Sequence, residues 1–403
     1  LKLFRLAQDK SQDPLGCKLQ ACLGRSMAGR IPSAGTVCVT GAAGFLGSWI
    51  TKYCLESGYV VRACVRNVND DRKTLFLKKM PQYKTGQLTL YSADMTKPGA
   101  YDDIFPGCHT VFHSAEVMMS FAPGRDTHQA VQDCGQPLGD GVIAKRAFES
   151  SQLVVDSINK SGTVATLMYT SSIMAMLDGD VRLYEDNPII DESRHATDSS
   201  TGGGYNVLKN ATEKFFFDAA ASSKGRWVAI SANPGDILGP ILSPHHATET
   251  WQGRVGKLAE GESPQQETRN LGIPRPWTTV DVRDVAKAQV LLADASTVQS
   301  GSRFLVCNAT KIWPEDIGKH INVLYPMFAA ATDIQACDDE NPLLPVGPVW
   351  ENVQLRNDRV REASGISFRT FQDTLKDTVD SLITLGGLKP RLGHAELASR
   401  GGS

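Results

Sequence analysis

Residues 36–49 have the sequence TVCVTGAAGFLGSW, in which a β-branched run leads directly into three glycines spaced three residues apart. The run Thr36–Thr40 predicts a short buried strand, and the apolar residues that follow at helical spacing predict a helix. A strand, a tight turn and a helix N-terminus in this order are typical of a site for the pyrophosphate of a dinucleotide. We expect Gly41 to allow the turn, Gly44 to let backbone N–H groups approach the phosphates, and Gly47 to let helix and strand pack closely.

The chain then alternates between strand and helix patterns. Further strands are predicted at Val60–Val65, Gln87–Tyr91, His109–Phe112, Ala165–Tyr169 and Trp227–Ser231, and further helices at Ala144–Asn159 and Tyr205–Ala221. This alternation predicts an α/β fold, namely a Rossmann-type doubly wound parallel sheet with helices on both faces. Right-handed crossovers then place the ligand crevice at the carboxyl ends of the strands.

Changes in the pattern divide the chain into regions. We predict an N-terminal extension at 1–35, a dinucleotide-binding domain with the catalytic residues at 36–240, a smaller and mainly substrate-binding region at 241–388, and a C-terminal tail at 389–403.

The part of the chain after residue 234 is expected to be largely irregular, because Pro, Gly and His are frequent there. Two exceptions are predicted: a strand–helix element at 276–293, which returns to the first domain, and an amphipathic helix over about 368–385. A long loop is predicted at 121–142, near the mouth of the substrate site.

The composition excludes several classes of function. A net charge of −2 gives no electrostatic reason to expect binding to nucleic acid or to an anionic membrane. There is no apolar run of about 18 residues, so no membrane span is predicted. The nine cysteines occur without a CxxC pair, which favours free thiols in a reducing compartment and argues against a bound metal.

The segment 1–35 holds six basic residues against two acidic ones, Asp9 and Asp13. Such a leader suits the remnant of a targeting region in a mitochondrial or plastid protein, and it suits a surface tail of a cytoplasmic protein equally well. Both locations stay open at this point. The same segment is a candidate docking site for a protein partner.

Tyr205 and Lys209 lie four residues apart on a predicted helix and therefore share one of its faces. Because an ammonium group favours a nearby phenolate, we expect Lys209 to lower the pKa of Tyr205 from about 10 towards neutrality. Such a tyrosine can exchange a proton with an oxygen that undergoes hydride transfer. Ser172 follows a predicted strand at the ligand-facing edge, where its hydroxyl can hold the substrate oxygen beside the tyrosine.

Taken in order from 36 to 388, these motifs resemble the extended short-chain dehydrogenase/reductases. The branch they resemble holds dihydroflavonol reductases, cinnamoyl-CoA reductases, aldehyde and ketone reductases and 3β-hydroxysteroid dehydrogenases. Besides the glycine turn, the resemblance rests on the segments VFHSA (111–115), YTSS (169–172), YNVLK (205–209), NPGDILGP (233–240) and VDVRDVA (280–286).

The resemblance implies a role for each candidate site residue. Ser172 orients the carbonyl, Tyr205 is the acid or base, and Lys209 binds the nicotinamide ribose and tunes Tyr205. The implied cofactor contacts are Gly41, Gly44, Phe45, Leu46 and Gly47 at the pyrophosphate, Asp94 and Met95 at the adenine, Ser114 and Ala115 in the cleft, and Pro234, Gly235 and Ile237 beside the nicotinamide. For Asp94 the alternative is a turn residue at a strand end, and His113 is expected to pack within its strand.

The cofactor preference depends on the end of the second strand. NAD-preferring sites place an acid there for the ribose 2′-hydroxyl, and that acid would repel a 2′-phosphate. This chain has Arg66 at that place, with Arg72 and Lys73 after it, and cationic side chains suit a phosphate. The resemblance assigns Arg66 and Lys73 to the 2′-phosphate, so NADP(H) is predicted, although Asp70 and Asp71 act against it.

These observations predict an NADP-dependent reductase or dehydrogenase for a small aldehyde or ketone, or for the corresponding alcohol. The segment after Ser172 lacks the asparagine of dihydroflavonol reductases, and Gly202–Tyr205 replaces the signature of cinnamoyl-CoA reductases, so flavonoid and lignin substrates lose support. One alternative is a nucleotide-binding accessory subunit with little turnover, suggested by the segment 1–35 and by Leu208 in place of a small residue. The other is a nucleotide-sugar epimerase or dehydratase.

Overall fold

The computed structural model describes residues 35–116, 142–177, 183–196, 205–262, 276–332 and 347–389. The strands in these ranges are β1 (Thr36–Thr40), β2 (Val60–Val65), β3 (Leu88–Ser92), β4 (Thr110–His113), β5 (Thr166–Thr170), β6 (Ile189–Ile190), β7 (Val228–Pro234), β8 (Asp236–Leu238), β9 (Thr279–Asp281), β10 (Ser302–Val306) and β11 (Gln354–Leu355).

The helices in the same ranges are α1 (Phe45–Glu56), α2 (Asp71–Lys78), α3 (Pro81–Thr85), α4 (Val142–Ser161), α5 (Leu183–Asp186), α6 (Tyr205–Ser222), α7 (Thr250–Ala259), α8 (Val282–Asp294), α9 (Pro314–Leu324), α10 (Gly347–Asn352), α11 (Asp358–Ser364) and α12 (Phe371–Thr384). Short 3₁₀ helices lie at Ile173–Met176 and Pro244–Thr248.

Seven parallel strands form the central sheet, in the order β10-β7-β5-β4-β1-β2-β3. β1 lies between β2 and β4, with Thr40 aligned to Cys64 on one side and to His113 on the other. The order of the strands therefore reverses at β1, and a crevice opens at such a reversal, outside the carboxyl ends of the strands. The predicted Rossmann-type doubly wound fold is confirmed.

Helices cover both faces of the sheet. On one face α1 and α8 pack on the strands through side chains such as Ile50 and Val285. On the other face α4 and α6 do so through side chains such as Ile158 and Phe216. All four of these side chains are buried, and full burial of each contributes about 1.5–3 kcal/mol to folding.

Local capping signals set the ends of several helices. The Asp281 side chain accepts a hydrogen bond from the Arg283 N–H, at 2.8 Å, at the start of α8. Thr370 accepts one from the Asp373 N–H, at 3.1 Å, at the start of α12. Each such cap stabilises its helix by about 1 kcal/mol. Helix α1 has no side-chain cap and no acidic residue in its first turn, which leaves its first N–H groups available to an anion.

The described residues after 234 (235–262, 276–332 and 347–389) are folded largely into helices and strands, so the expectation of largely irregular structure is wrong for them. Helices α7, α9 and α12 pack together in a second hydrophobic core, and β10 extends the central sheet beside β7. Proline and glycine have structural roles within these elements. Pro314 begins α9, and Gly318 allows close packing, because a Cβ there would lie 1.8 Å from the Ala331 carbonyl oxygen. Elements this short do not give the long periodic patterns that identify helices from sequence.

The strand–helix element expected at 276–293 corresponds to β9 and α8, and the last helix expected at about 368–385 is α12. The extension 1–35 lies outside the described residues except for residue 35, and so does the predicted loop at 121–142 except for residue 142, which begins α4. The proposed domain boundaries stay predictions.

Three further findings concern membrane-spanning helices, cysteines and metal-ligating side chains. Among the described helices, none is long and apolar enough to cross a bilayer. The cysteines that the structure describes are free and buried, namely Cys38, Cys54, Cys64, Cys108 and Cys307. No cluster of metal-ligating side chains occurs within the described ranges.

Candidate active site

The glycine turn between β1 and α1 is packed too tightly for side chains. Gly41 has a φ of 69°, and a Cβ there would lie 2.9 Å from the Ala115 nitrogen. A Cβ on Gly47 would lie 2.2 Å from the Gly41 carbonyl oxygen, far closer than real Cβ contacts. Both glycines are therefore required, and the uncapped start of α1 at Gly44 fits a pyrophosphate.

Hydrogen bonds fix the end of β4 against the end of β1. Ser114 Oγ donates to the Thr40 carbonyl at 2.7 Å, and the Ala115 N–H donates to Thr40 Oγ1 at 3.2 Å. His113 is buried with its Nδ1 2.8 Å from Thr40 Oγ1, and burial lowers its pKa to about 3. His113 is thus a neutral packed residue of the strand, as the sequence predicts.

A cavity of about 200 Å³, here called the active-site cavity, opens at the carboxyl ends of the central strands. It is lined by Phe45, Ser114, Glu116, Thr170, Ser171, Ser172, Tyr205, Lys209, Pro234, Gly235, Ile237, Glu249, Trp251 and Gln252. The structure therefore brings the three predicted catalytic residues together with five of the predicted cofactor contacts. Gly235 is required at its place, because a Cβ would lie 2.0 Å from the Thr278 carbonyl oxygen.

The Ser172, Tyr205 and Lys209 side chains meet in this cavity. Ser172 and Tyr205 both line it, and the Ser172 hydroxyl accepts the Met174 N–H at 3.1 Å as the cap of a 3₁₀ helix. Lys209 is buried, with its Nζ 5.7 Å from the centre of the Tyr205 ring. The helical spacing of Tyr205 and Lys209 thus places both at the end of β5, beside the serine.

Lys209 has a partner that the sequence did not indicate. Its Nζ lies 2.8 Å from Glu116 Oε1, and it donates to Tyr169 Oη and to the Thr170 carbonyl, each at 3.3 Å. Glu116 directly follows the VFHSA segment, so its position beside the cofactor motif was visible in the sequence. Its contact with Lys209 was not, because that contact depends on the sheet.

The pKa of Tyr205 does not shift in the predicted direction. Burial raises the pKa of Tyr205, and the Glu116 carboxylate raises it further, while Lys209 and the Ser172 hydroxyl lower it by less. The expectation that Lys209 brings this pKa towards neutrality is therefore wrong. Burial alone would lower the pKa of Lys209, but the Glu116 charge and the other groups around it outweigh that effect and raise it. At pH 7 the phenol and the ammonium are both protonated.

A buried ion pair holds α6 against the sheet. Glu213, two turns after Tyr205 on α6, accepts from Arg303 Nε of β10 at 2.6 Å and from Asn233 of β7. The Arg303 side chain is 5% exposed and that of Glu213 is 1% exposed. This network fixes the helix that carries Tyr205 and Lys209.

Arg66 and Lys73 lie exposed at the end of β2 and on α2, where the sequence places the ribose 2′-phosphate. The two acids expected to oppose that phosphate are each engaged by another cation. The ion pairs are Asp70 Oδ1 with Arg72 Nε at 3.2 Å, and Asp71 Oδ1 with Lys78 Nζ at 2.7 Å. Because their charges are already paired, the two acids repel a bound phosphate less than their position in the sequence suggests.

Asp94 holds a turn at the end of β3. Its Oδ1 accepts from the Thr96 N–H at 3.0 Å and from the Thr96 hydroxyl at 2.8 Å. These bonds lower the pKa of Asp94, and Arg66 contributes to the same effect. Met95 packs against the hydrophobic core on the α4 and α6 face. Neither residue lines the active-site cavity, and their assignment to the adenine stays a prediction.

Two adjacent histidines that the sequence did not single out contact the glycine turn. His245 and His246 both donate Nε2–H to the Ala43 carbonyl, at 2.7 and 3.0 Å. The carbonyl can only accept, which assigns His245 its Nε2–H tautomer, and the neutral Nδ1 then accepts from the Ser243 hydroxyl at 2.9 Å. Burial lowers the pKa of His246 to about 4 and lowers the pKa of His245 as well, so both rings are neutral at pH 7.

Comparison with curated proteins finds reductases. The NAD dependent epimerase/dehydratase family matches residues 37–132. The chain is 37% identical to a dihydroflavonol 4-reductase of Callistephus chinensis, over 76% of this chain and 78% of that protein. It is 28% identical to the cinnamoyl-CoA reductase CAD2 of Medicago truncatula, over 86% of this chain and 95% of that protein.

Solved structures share the fold. Vestitone reductase from alfalfa, Medicago sativa, superposes with a TM-score of 0.62 at 23% identity, covering 88% of this chain and all of that one. Gre2 of Candida albicans, solved in complex with NADPH, gives a TM-score of 0.66 at 20% identity, covering 87% of this chain and 99% of that one.

The sheet, the glycine turn and the cavity with its serine, tyrosine and lysine, taken together with the similarity to these reductases, indicate an oxidoreductase that uses a nicotinamide dinucleotide. The chain belongs to the extended short-chain dehydrogenase/reductase family, in the branch of the dihydroflavonol and cinnamoyl-CoA reductases.

Proposed function

We propose that this protein is an NADPH-dependent reductase that transfers a hydride between the nicotinamide and an aldehyde or ketone, or the corresponding alcohol. The observation that carries the proposal is the convergence of Ser172, Tyr205 and Lys209 on one cavity at the carboxyl ends of the strands. Relatives named as reductases support the reaction class.

A dinucleotide held by the glycine turn and by Arg66 and Lys73 would supply the hydride that the carbonyl carbon accepts. Ser172, which lines the same cavity as Tyr205, orients the carbonyl oxygen of the substrate. Tyr205 donates its phenolic proton to that oxygen as negative charge develops there, and an alcohol results. Lys209 lies close enough to the phenol to stabilise the phenolate that remains.

The preference for NADPH rests on Arg66 and Lys73. Neither is found in an ion pair within the described residues, whereas Arg72 is paired with Asp70. A guanidinium and an ammonium at and just after the end of β2 that form no ion pair among the described residues suit a 2′-phosphate better than a 2′-hydroxyl.

The cofactor assignment is tested by titrating NADPH and NADH into the wild type, Arg66→Ala and Arg72→Ala. Loss of one charge-assisted contact costs about 1.5–3 kcal/mol, so Arg66→Ala should weaken NADPH binding about 10- to 100-fold and leave NADH binding nearly unchanged. Arg72→Ala is the matched control, because its guanidinium already has the partner Asp70. Equal wild-type affinities for the two dinucleotides would contradict the assignment.

The reaction is tested by following NADPH oxidation with a panel of aldehydes, ketones and sterols. A second candidate, a nucleotide-sugar epimerase or dehydratase, is favoured by the family match to residues 37–132. That candidate predicts turnover of a nucleotide sugar with no net NADPH oxidation, so the same panel with nucleotide sugars added separates the two.

A further inference from the structure

Glu116 lines the active-site cavity but has no part in the catalytic steps described above. It follows the β4 end that is fixed to Thr40, and its Oε1 lies 2.8 Å from Lys209 Nζ. The Lys209 side chain is 3% exposed, whereas that of Glu116 is 27% exposed towards the cavity it lines. An ion pair so shielded from water interacts strongly, because little solvent screens it.

The other charged and titratable groups around the phenol and the ammonium come from several elements. They are Tyr169 on β5, Glu213 on α6, His113 on β4, and Glu249, which lines the same cavity. Glu213 is paired with Arg303, and His113 is neutral. Among the described residues, Glu116 is therefore the carboxylate that directly balances Lys209.

This balance decides the protonation of the tyrosine. A lone ammonium beside Tyr205 would stabilise the phenolate, but a carboxylate in contact with that ammonium cancels much of its field. We propose that Glu116, through its ion pair with Lys209, keeps the Tyr205 phenol protonated and so extends to higher pH the range in which this tyrosine can donate a proton to a carbonyl. This inference rests on the proposed function, and it makes Glu116 a positioning residue that acts through Lys209.

The electrostatic part is tested without any substrate. The absorbance of the Tyr205 phenolate is followed against pH as the difference between each protein and its Tyr205→Phe counterpart. In Glu116→Gln the phenolate should form at a pH lower by about one unit or more, the size expected for one charge in contact. Glu116→Asp keeps the charge and should titrate close to the wild type.

The functional part uses a carbonyl substrate found in the NADPH screen and its alcohol. In Glu116→Gln the pH at which the reduction rate falls and the pH at which the oxidation rate levels off should both move down by the amount by which phenolate formation moves down, with Glu116→Asp restoring the wild-type profiles. NADPH affinity, measured in parallel, reports whether the cavity is intact. If Glu116→Gln does not fold, Glu116→Ser removes the same charge with less bulk.

The outcomes separate this inference from the proposed function. A phenolate titration unchanged in Glu116→Gln or Glu116→Ser overturns the inference, even if the wild type reduces carbonyls. Unchanged pH profiles of reduction and oxidation in an active variant overturn it too. A titration moved to lower pH together with no turnover of any carbonyl supports the electrostatic role of Glu116 and rejects the proposed function.

Discussion

Replacement of Arg303 by Met should strongly destabilise the protein and loosen the helix that carries the catalytic residues. Methionine has a similar length but no charge and no donors. The Glu213 carboxylate, 1% exposed, would lose the Nε contact at 2.6 Å and keep Asn233 as its partner. The Glu192 and Ala175 carbonyls would lose donors at 3.0 and 3.2 Å.

Breaking one side of a buried ion pair costs about 3–5 kcal/mol, because the remaining charge stays buried without compensation. Native proteins are stable by about 5–15 kcal/mol in total, so this single change removes a large share. The double variant Arg303→Met with Glu213→Gln removes the stranded charge while an amide oxygen can still accept from Asn233. It should recover about 2 kcal/mol or more relative to the single variant.

Urea unfolding at pH 7, followed by tryptophan fluorescence, measures these differences. Arg359→Met is the matched control, because Arg359 is exposed near the same edge strand and lies over the Phe304 ring at 5.1 Å, a contact worth about 0.5–1 kcal/mol. A loss below about 1 kcal/mol in Arg303→Met, or a double variant less stable than the single one, would refute the reasoning.

Three further predictions concern the turn, its histidines and the tyrosine. Gly47→Ala should abolish detectable NADPH binding, because its Cβ would lie 2.2 Å from a backbone oxygen. In Gly256→Ala, on α7, the new Cβ would have no atom within 4 Å, so this variant should stabilise the fold by about 0.5–1 kcal/mol in urea unfolding. The folded pKa of His246 is about 4 against about 6.5 in the unfolded chain, so the unfolded state binds more protons between these values. The free energy of unfolding should therefore fall by up to about 3 kcal/mol from pH 7 to 4 on account of this group, and His246→Asn should flatten the measured slope. Tyr205→Phe should reduce turnover at least about 100-fold with NADPH affinity nearly unchanged, and full retained activity on a confirmed substrate would remove Tyr205 as proton donor.

Much of the site could be predicted from sequence because its parts are local. The turn and its glycines follow a β-branched run within a few residues, and the helical repeat alone places Tyr205 and Lys209 on one face. The first two strands have the predicted bounds, and the next four predicted strands deviate by one to three residues at their ends, since ends depend on hydrogen bonds that sequence patterns do not report. The edge strand β10 was missed because its run SRFLV is short and follows a region rich in turn residues.

The sequence by itself determined the alternation of strands and helices up to β7, the parallel sheet, the position of the crevice and the residues of the serine, tyrosine and lysine set. These features depend on periodicity and residue spacing over short stretches, and both can be read directly from the sequence. Tertiary structure alone decided which charges face the tyrosine and what supports the turn. Arg303 meets Glu213 across 90 residues, and His245 reaches Ala43 across 202. Such contacts, including that of Glu116 with Lys209, form only when distant elements pack, and burial sets their strength. The protonation state of Tyr205 therefore follows from the fold and not from its neighbours in sequence.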